Sequence, residues 1–263
     1  MADDGDNCAA PEHDALQATR DAAWKEIEGI RAEIEGSPGW FLRGDLASLA
    51  RSQRIFAGNT SELHGLLRRS ASPDVWLSAW DREHPERLEQ LLDEADRLFH
   101  NFLAAAFSLI SHTIAFRNRH VADDSALAAD YTQRNPTPRS PLCLFMKRLR
   151  IIAQHERLPI SQGNVSAWRD DTGQLVVEPS LVLDRTTLMS RHEWTGQARK
   201  YLKALDADPS LEKLSTDYSL ILRGFADWFA FRFVQEHLAE FRELESLYQR
   251  LGPATALFRE PRT

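Results

Sequence analysis

One periodic pattern dominates the chain and limits what it can fold into. Between Pro85 and about Arg119, apolar or small residues recur at alternating spacings of four and three. This spacing places them on one face of an α-helix, and so long a face is buried only when several other elements pack against it. The pattern therefore predicts a long central helix in a helical protein. Its members are Leu88, Leu92, Ala95, Phe99, Phe102, Ala106, Leu109, Thr113 and Phe116.

Start and stop signals divide most of the remaining chain into further helices. The segments expected to be helical are 14–35, 45–56, 61–69, 74–82, 140–158, 187–205 and 208–252. Gly58-Asn59 is expected to end the second of them, and Gly252-Pro253 the last. Residues 165–183, VSAWRDDTGQLVVEPSLVL, instead have β-forming residues on both sides of a DDTG turn, which indicates a small hairpin. The predicted fold class is all-α, a helical bundle with long antiparallel helices and a small inserted β-hairpin.

The long helix also sets the predicted domain organisation. Residues 1–84 form an N-terminal helical region, and residues 85–263 form a helical bundle with the hairpin inserted near 165–183. The 263 residues, 43 % of them apolar, are enough to build a hydrophobic core of that size.

The distribution of charge bears on the class of partner. A formal charge of −7 argues against a general nucleic-acid binder, whose surface should be basic. Between Arg117 and Arg157, however, eight basic residues face four acidic ones, so this segment carries +4. A local positive field of this kind can still attract a phosphate.

Several features of the sequence favour a cytoplasmic protein. The chain has two cysteines, Cys8 and Cys143, and neither has a partner at a metal-ligand spacing. The first residues, MADDGDNCAAPEHD, are acidic and lack the order of a signal peptide. The longest apolar run, FLAAAFSLI, is too short to span a bilayer. We therefore predict a cytoplasmic location without a membrane partner, and no bound metal or cofactor.

The stretch KRLRIIAQHER, residues 147–157, belongs to a predicted helix that is apolar on two sides. One side carries Leu142, Phe145, Met146, Leu149, Ile152 and Ala153, and the nearly opposite side carries Leu144, Ile151 and Leu158. A helix with two apolar sides lies between layers or in a subunit interface. We therefore predict that the second side is covered either by the helix of residues 85–119 or by a second copy of the chain.

The same stretch resembles a known family. R150-I-I-A-Q-H155 is similar to the Arg-x4-His motif of HEPN domains, which are all-helical bundles that often dimerise. The order of a long helix, a loop and PLCLFMKRLRIIAQHERLP is also similar to that of bacterial HEPN-like proteins, over roughly residues 85 to 250. The chain departs from the family at Ile151, where a polar residue, often Asn, usually follows the Arg.

The resemblance implies a metal-independent endoribonuclease of a bacterial defence or toxin–antitoxin system. His155 would act as the base, and Arg150 would stabilise the charge that develops on the phosphate. Lys147, Arg148 and Arg157 would bind the RNA, and the implied partners are a second copy in a homodimer and a protein such as an antitoxin.

The alternative is a non-catalytic HEPN-like module for self-association or for binding a protein partner. In that case the basic residues of the last turns stabilise the negative end of the helix. Ile151 and the acidic charge of the whole chain favour this alternative, whereas the local +4 segment favours the nuclease. The sequence leaves both open.

Overall fold

The computed structural model describes residues 9–79, 81–156, 158–162, 166–169, 171–173, 175–190, 194 and 196–256. About 80 % of the chain is helical, so the predicted all-α class is confirmed. The helices in the described part are α1 (Ala9–Gly36), α2 (Pro38–Ser70), α3 (Pro73–Ala79), α4 (Glu86–His120), α5 (Ala126–Arg134), α6 (Pro141–His155), α7 (Arg185–Ser190), α8 (Gly196–Lys203), α9 (Leu211–Glu236) and α10 (Leu238–Ala256). The strands are β1 (Ile160–Gln162), β2 (Ser166–Arg169), β3 (Leu175–Glu178) and β4 (Leu181–Leu183).

The predicted hairpin is present as the antiparallel pair β2 and β3. Ser166 pairs with Glu178 and Arg169 with Leu175. Gly173 in the connecting turn has a φ of +82°, which favours glycine because a side chain is strained in this region. A second antiparallel pair, β1 with β4, lies on either side of the hairpin in sequence.

The predicted helix end at Gly58-Asn59 is wrong, because α2 continues without a break from Pro38 to Ser70. Phe56 and Leu63 lie two turns apart on the same face of α2, and both are fully buried. The side-chain amide of Asn59 donates a hydrogen bond to the carbonyl oxygen of Ile55, as a residue within a helix can do. Burial of this face outweighs the low helix propensity of Gly58, which costs only about 1 kcal/mol relative to alanine.

Two predicted helices are each divided in the structure. The predicted helix 187–205 consists of α7 and α8, and Gly196 at the start of α8 has a φ of +49°, which a continuous α-helix does not allow. The predicted helix 208–252 consists of α9 and α10, which are separated at His237. The predicted stop at Gly252-Pro253 is also wrong, since Pro253 lies within α10 and less than one turn from its end at Ala256.

Contacts group the chain differently from the predicted regions 1–84 and 85–263. The first unit comprises the described residues between Met1 and Ala47 and between Arg232 and Thr263. In it, α1 packs on α10 through a core formed by Ile30, Ile34, Leu244 and Leu247. Arg250 adds an ion pair with Glu33, in which the closest nitrogen and oxygen are 2.7 Å apart.

The second unit, Ser48–Phe231, contains the long helix α4 that the periodic pattern predicted. From Ala95 to Phe116, every member of the predicted face is buried. Phe102 of α4 is fully buried and contacts Phe56 of α2 and Tyr218 of α9, with ring centroids 5.5 and 6.1 Å away. The side chains of α4 thus form the core of this unit.

By length and composition alone, α4 is the one described helix that is long and apolar enough to cross a membrane. These two criteria do not distinguish a membrane span from the core helix of a soluble protein. Of the most apolar 18-residue window of α4, 44 % is buried inside the protein.

Candidate functional site

Local signals at its start position α6, the helix that carries the predicted site residues. The Ser140 hydroxyl accepts a hydrogen bond from the backbone N–H of Cys143, and Pro141 occupies the first helical position. Both features are typical of a helix N-terminus. The helix ends at His155, three residues before the predicted end at Leu158, because the backbone of Glu156 is extended.

The two apolar sides of α6 have different surroundings within the same unit. On the first side, Phe145 is fully buried and its ring lies 5.0 Å from that of Trp194 and 5.1 Å from that of Tyr201. On the second side, Leu144 lies in a cavity wall together with side chains of α4, and Leu158 is buried. Leu144 and Ile151 are only half-buried, so coverage of this side by α4 or by a second copy of the chain stays a prediction for these two residues.

A cavity of about 450 Å³ lies between α4 and α6. We call it the α4–α6 cavity. Most of its lining side chains are apolar, and three of them, Ile114, Pro138 and Lys147, are exposed, so they mark its opening to solvent. The full set comprises Leu103, Phe107, Ile110, Ser111 and Ile114 of α4, Cys143, Leu144, Met146, Lys147 and Arg150 of α6, and Thr137, Pro138 and Tyr218.

The loop before α6 closes one part of the cavity wall and is held by a local hydrogen-bond network. The side-chain oxygen of Asn135 accepts hydrogen bonds from both the backbone N–H and the hydroxyl of Thr137. Arg139 donates a further hydrogen bond to the carbonyl oxygen of Gln133, 2.6 Å away. These contacts fix Thr137 and Pro138 in their places in the wall.

An aromatic ring holds Arg150 in the wall, and no described acidic residue forms an ion pair with it. Its Cζ atom lies 3.6 Å from the ring centroid of Phe107, the geometry of a cation–π contact. Its Nε atom is buried and has no hydrogen-bond partner among the described residues. Because this Nε atom is not accessible, a ligand in the cavity can meet the guanidinium only through its two terminal nitrogens, which are also hydrogen-bond donors.

The cavity carries positive charge without a compensating acid. None of the described residues that line it is Asp or Glu. Burial raises the pKa of the Cys143 thiol and of the Tyr218 phenol above their ordinary values, so both groups are neutral near pH 7. Arg150 and Lys147 are therefore the charged groups of the lining.

The structure separates the residues that the HEPN resemblance brought together. Arg150 is half-buried in the cavity wall, and Lys147 is exposed at the opening. Arg148 is half-buried outside the lining, and its Nε atom is also buried without a hydrogen-bond partner among the described residues. His155 is exposed at the end of α6 and does not line the cavity. Arg157 lies outside the described residues.

Sequence reasoning missed the α4 half of the cavity. Leu103, Phe107, Ile110 and Ile114 follow the same spacing of four and three as the core face, shifted by one residue. This second apolar row is the sequence feature from which the α4 residues of the cavity could have been predicted. Ile114 is 41 % exposed, so the row is not fully covered within the chain.

Two histidine–serine pairs elsewhere in the same unit lack the features of a nucleophilic site. His64 lies 3.0 Å from the hydroxyl of Ser215, but Ser215 is fully buried and donates to the carbonyl oxygen of Leu211. His112 lies 2.5 Å from the hydroxyl of Ser52, which is 6 % exposed. Because neither serine is accessible to a substrate, we interpret both pairs as contacts between helices.

Comparisons with models of protein families, with curated proteins and with solved structures give no match. The likeness to HEPN domains therefore stays a prediction from the sequence. In the part of the chain that the structure describes, no group of three or more His, Cys, Asp or Glu residues is arranged to hold a metal ion. The lining of the α4–α6 cavity is the feature from which a function can be inferred.

Proposed function

We propose that this protein is a non-catalytic helical binding module whose ligand site is the α4–α6 cavity. The observation that carries the proposal is Arg150, whose guanidinium lies over the Phe107 ring in the wall of an apolar cavity with no Asp or Glu among its described lining residues. Binding sites of small molecules are typically concave, mostly apolar and equipped with a few polar groups that orient the ligand. We also propose, from the sequence resemblance, a HEPN-like bundle of long antiparallel helices in a cytoplasmic protein.

The accessible apolar surface of the cavity supports the proposal. The cavity measures about 450 Å³ and opens to solvent at Ile114, Pro138 and Lys147, so its apolar walls are accessible to water. A ligand that fills it removes apolar surface from water, which favours binding by about 25 cal/mol per Å² before the costs of association are subtracted. A head group that accepts a hydrogen bond from the guanidinium of Arg150 adds to this gain.

The test of this proposal is the binding of an uncharged probe, N-phenylnaphthylamine, whose fluorescence rises in apolar surroundings. We expect saturable binding at one site in the parent protein. In Leu144→Trp, the larger side chain should occupy the cavity and weaken binding by at least about tenfold, which corresponds to about 1.4 kcal/mol. The measurement is a fluorescence titration, with circular dichroism to verify that each variant is folded.

Ile55→Trp is the matched control for this titration. Ile55 is 54 % exposed on α2 and does not line the cavity, so this variant should bind the probe like the parent protein. A parent protein that shows no saturable binding contradicts the proposal. Equal affinity of Leu144→Trp and the parent protein also contradicts it, because the probe would then bind elsewhere.

A metal-independent endoribonuclease is the second candidate function. It is favoured by the exposure of His155, which leaves the imidazole accessible to a substrate as a general base must be. Because Arg150 and His155 are five residues apart in an α-helix, their side chains point in directions that differ by about 140°. The nuclease therefore needs a homodimer in which Arg150 of one copy acts with His155 of the other, with RNA as substrate and an antitoxin as a protein partner.

An assay with single-stranded RNA separates the two candidates. As a binding module, the purified protein should cleave no RNA, with or without EDTA. If it is a nuclease, EDTA should have no effect, and His155→Ala and Arg150→Ala should each lower the cleavage rate by about 10²- to 10⁴-fold. Arg148→Ala should then weaken RNA binding in a salt-dependent way but keep the chemical step. Cleavage with this pattern would replace our proposal by the second candidate.

A further inference from the structure

The size of the α4–α6 cavity limits the ligand that it accepts. An apolar cavity of about 150 Å³ is large enough to bind benzene. The cavity described here, at about 450 Å³, has three times that volume and therefore admits a body larger than one aromatic ring. Buried side chains such as Leu103 and Met146, each at most 2 % exposed, form its apolar wall.

The charged groups of the lining limit the head group. Arg150 contributes a planar guanidinium to the lining, and the two terminal nitrogens of such a group match a carboxylate through two parallel hydrogen bonds. Lys147 adds a second positive charge at the exposed opening. A cationic head group would meet these two charges, and none of the described lining residues is an acid that could offset them.

We infer that the ligand is a small amphipathic carboxylate, with its apolar body between α4 and α6 and its head group on Arg150. This inference rests on the proposed function, because it names the chemical class of the ligand for the same cavity. The lining contains one guanidinium, and its planar fork matches the two oxygens of a carboxylate. The Phe107 ring fixes the plane of the fork before the ligand arrives.

The test compares decanoate, decanol and decyltrimethylammonium, which share one alkyl chain and differ in the charge of the head group. Each is titrated into the intact protein by calorimetry, at concentrations at which the amphiphile is monomeric. We expect decanoate to bind about 10- to 100-fold more tightly than decanol, because of its hydrogen bonds to a charged donor. The cationic amphiphile should bind more weakly than decanol.

Arg150→Gln should remove the preference, so that decanoate binds no more tightly than decanol. Arg150→Lys keeps the charge without the fork and should retain only part of the preference. Arg148→Gln is the matched control, since Arg148 lies on the same helix with an equally unpaired Nε atom but outside the lining, and it should keep the parent preference.

Each outcome distinguishes this inference from the proposed function. If decanol and decanoate bind equally to the parent protein, the inference is overturned while the cavity remains a binding site. If Arg148→Gln loses the preference as fully as Arg150→Gln, general electrostatic attraction explains it and the inference is also overturned. An acetylated apolar tetrapeptide with a free C-terminal carboxylate that binds more tightly than decanoate would assign the site to a peptide instead. If neither the amphiphiles nor N-phenylnaphthylamine bind, the proposed function itself fails.

Discussion

Phe102→Ala is expected to lower the free energy of unfolding by about 3–5 kcal/mol, the cost of removing a fully buried Phe side chain. The Phe102 ring is 0 % exposed and contacts three aromatic rings, those of Phe56, Phe99 and Tyr218. Its removal leaves a cavity at the centre of α4, where the neighbouring helices cannot easily collapse. The measurement is equilibrium unfolding in urea followed by circular dichroism.

Phe231→Ala is the control for this prediction. Phe231 is 61 % exposed on α9, and surface substitutions usually change stability by less than about 0.5 kcal/mol. A loss below about 1 kcal/mol in Phe102→Ala would contradict the assignment of α4 as the core helix, because it would mean that the ring is replaced at little cost.

Gly39→Ala is expected to destabilise the first unit by about 1–3 kcal/mol, the typical cost of overpacking. A Cβ atom at Gly39 would overlap the backbone oxygen of Glu240 in α10 and would lie only 2.9 Å from the Cβ atom of Leu244. Because a backbone atom cannot move aside as the end of a side chain can, α10 would have to shift. Thermal unfolding of the full-length variant measures the effect.

Gly29→Ala, in the same unit, is expected to stabilise the protein, the opposite of the effect expected for Gly39→Ala. Gly29 lies within α1, and a Cβ atom there would meet no described atom within 4 Å. Alanine in a helix interior is favoured over glycine by up to about 1 kcal/mol, so this variant should be more stable than the parent protein. If both substitutions stabilise the protein, the close approach of α10 to Gly39 is wrong.

The elements with strong local signals were predictable from the sequence. The face of α4 follows from a spacing sustained over nine residues from Leu88 to Phe116, and the start of α6 follows from Ser140-Pro141. The hairpin follows from β-forming residues around the turn that contains Gly173. In each case the physical cause acts within a few residues of chain.

Elements that depend on contacts between distant segments were not predictable. The continuity of α2 through Gly58 depends on the burial of Phe56, which packs on Phe102 of α4. Likewise, the close approach of α10 to Gly39 depends on a segment about 200 residues further along the chain. A single sequence contains no direct record of such partners.

The candidate site was only half predictable for the same reason. The sequence singled out Arg150 as part of the HEPN-like motif and Leu144 as part of the second apolar side of α6, but Phe107, which Arg150 contacts, lies on another helix. The sequence indicated two apolar sides on α6 without indicating that one of them faces a cavity. The volume between two helices depends on how their side chains interlock, and spacing along either helix alone does not determine it.

The most direct test of the binding site is nuclear magnetic resonance of the methionine methyl groups during titration with N-phenylnaphthylamine. The chain contains three methionines, Met1, Met146 and Met189. Met146 lines the α4–α6 cavity, whereas Met189 lies on α7 and does not line it. A bound naphthyl ring in contact with Met146 should shift the resonance of its methyl group strongly. We expect the Met146 signal to shift in step with the fluorescence titration while the Met189 signal stays in place. A Met146 signal that does not move when the probe is fully bound would contradict the assignment of the cavity as the ligand site.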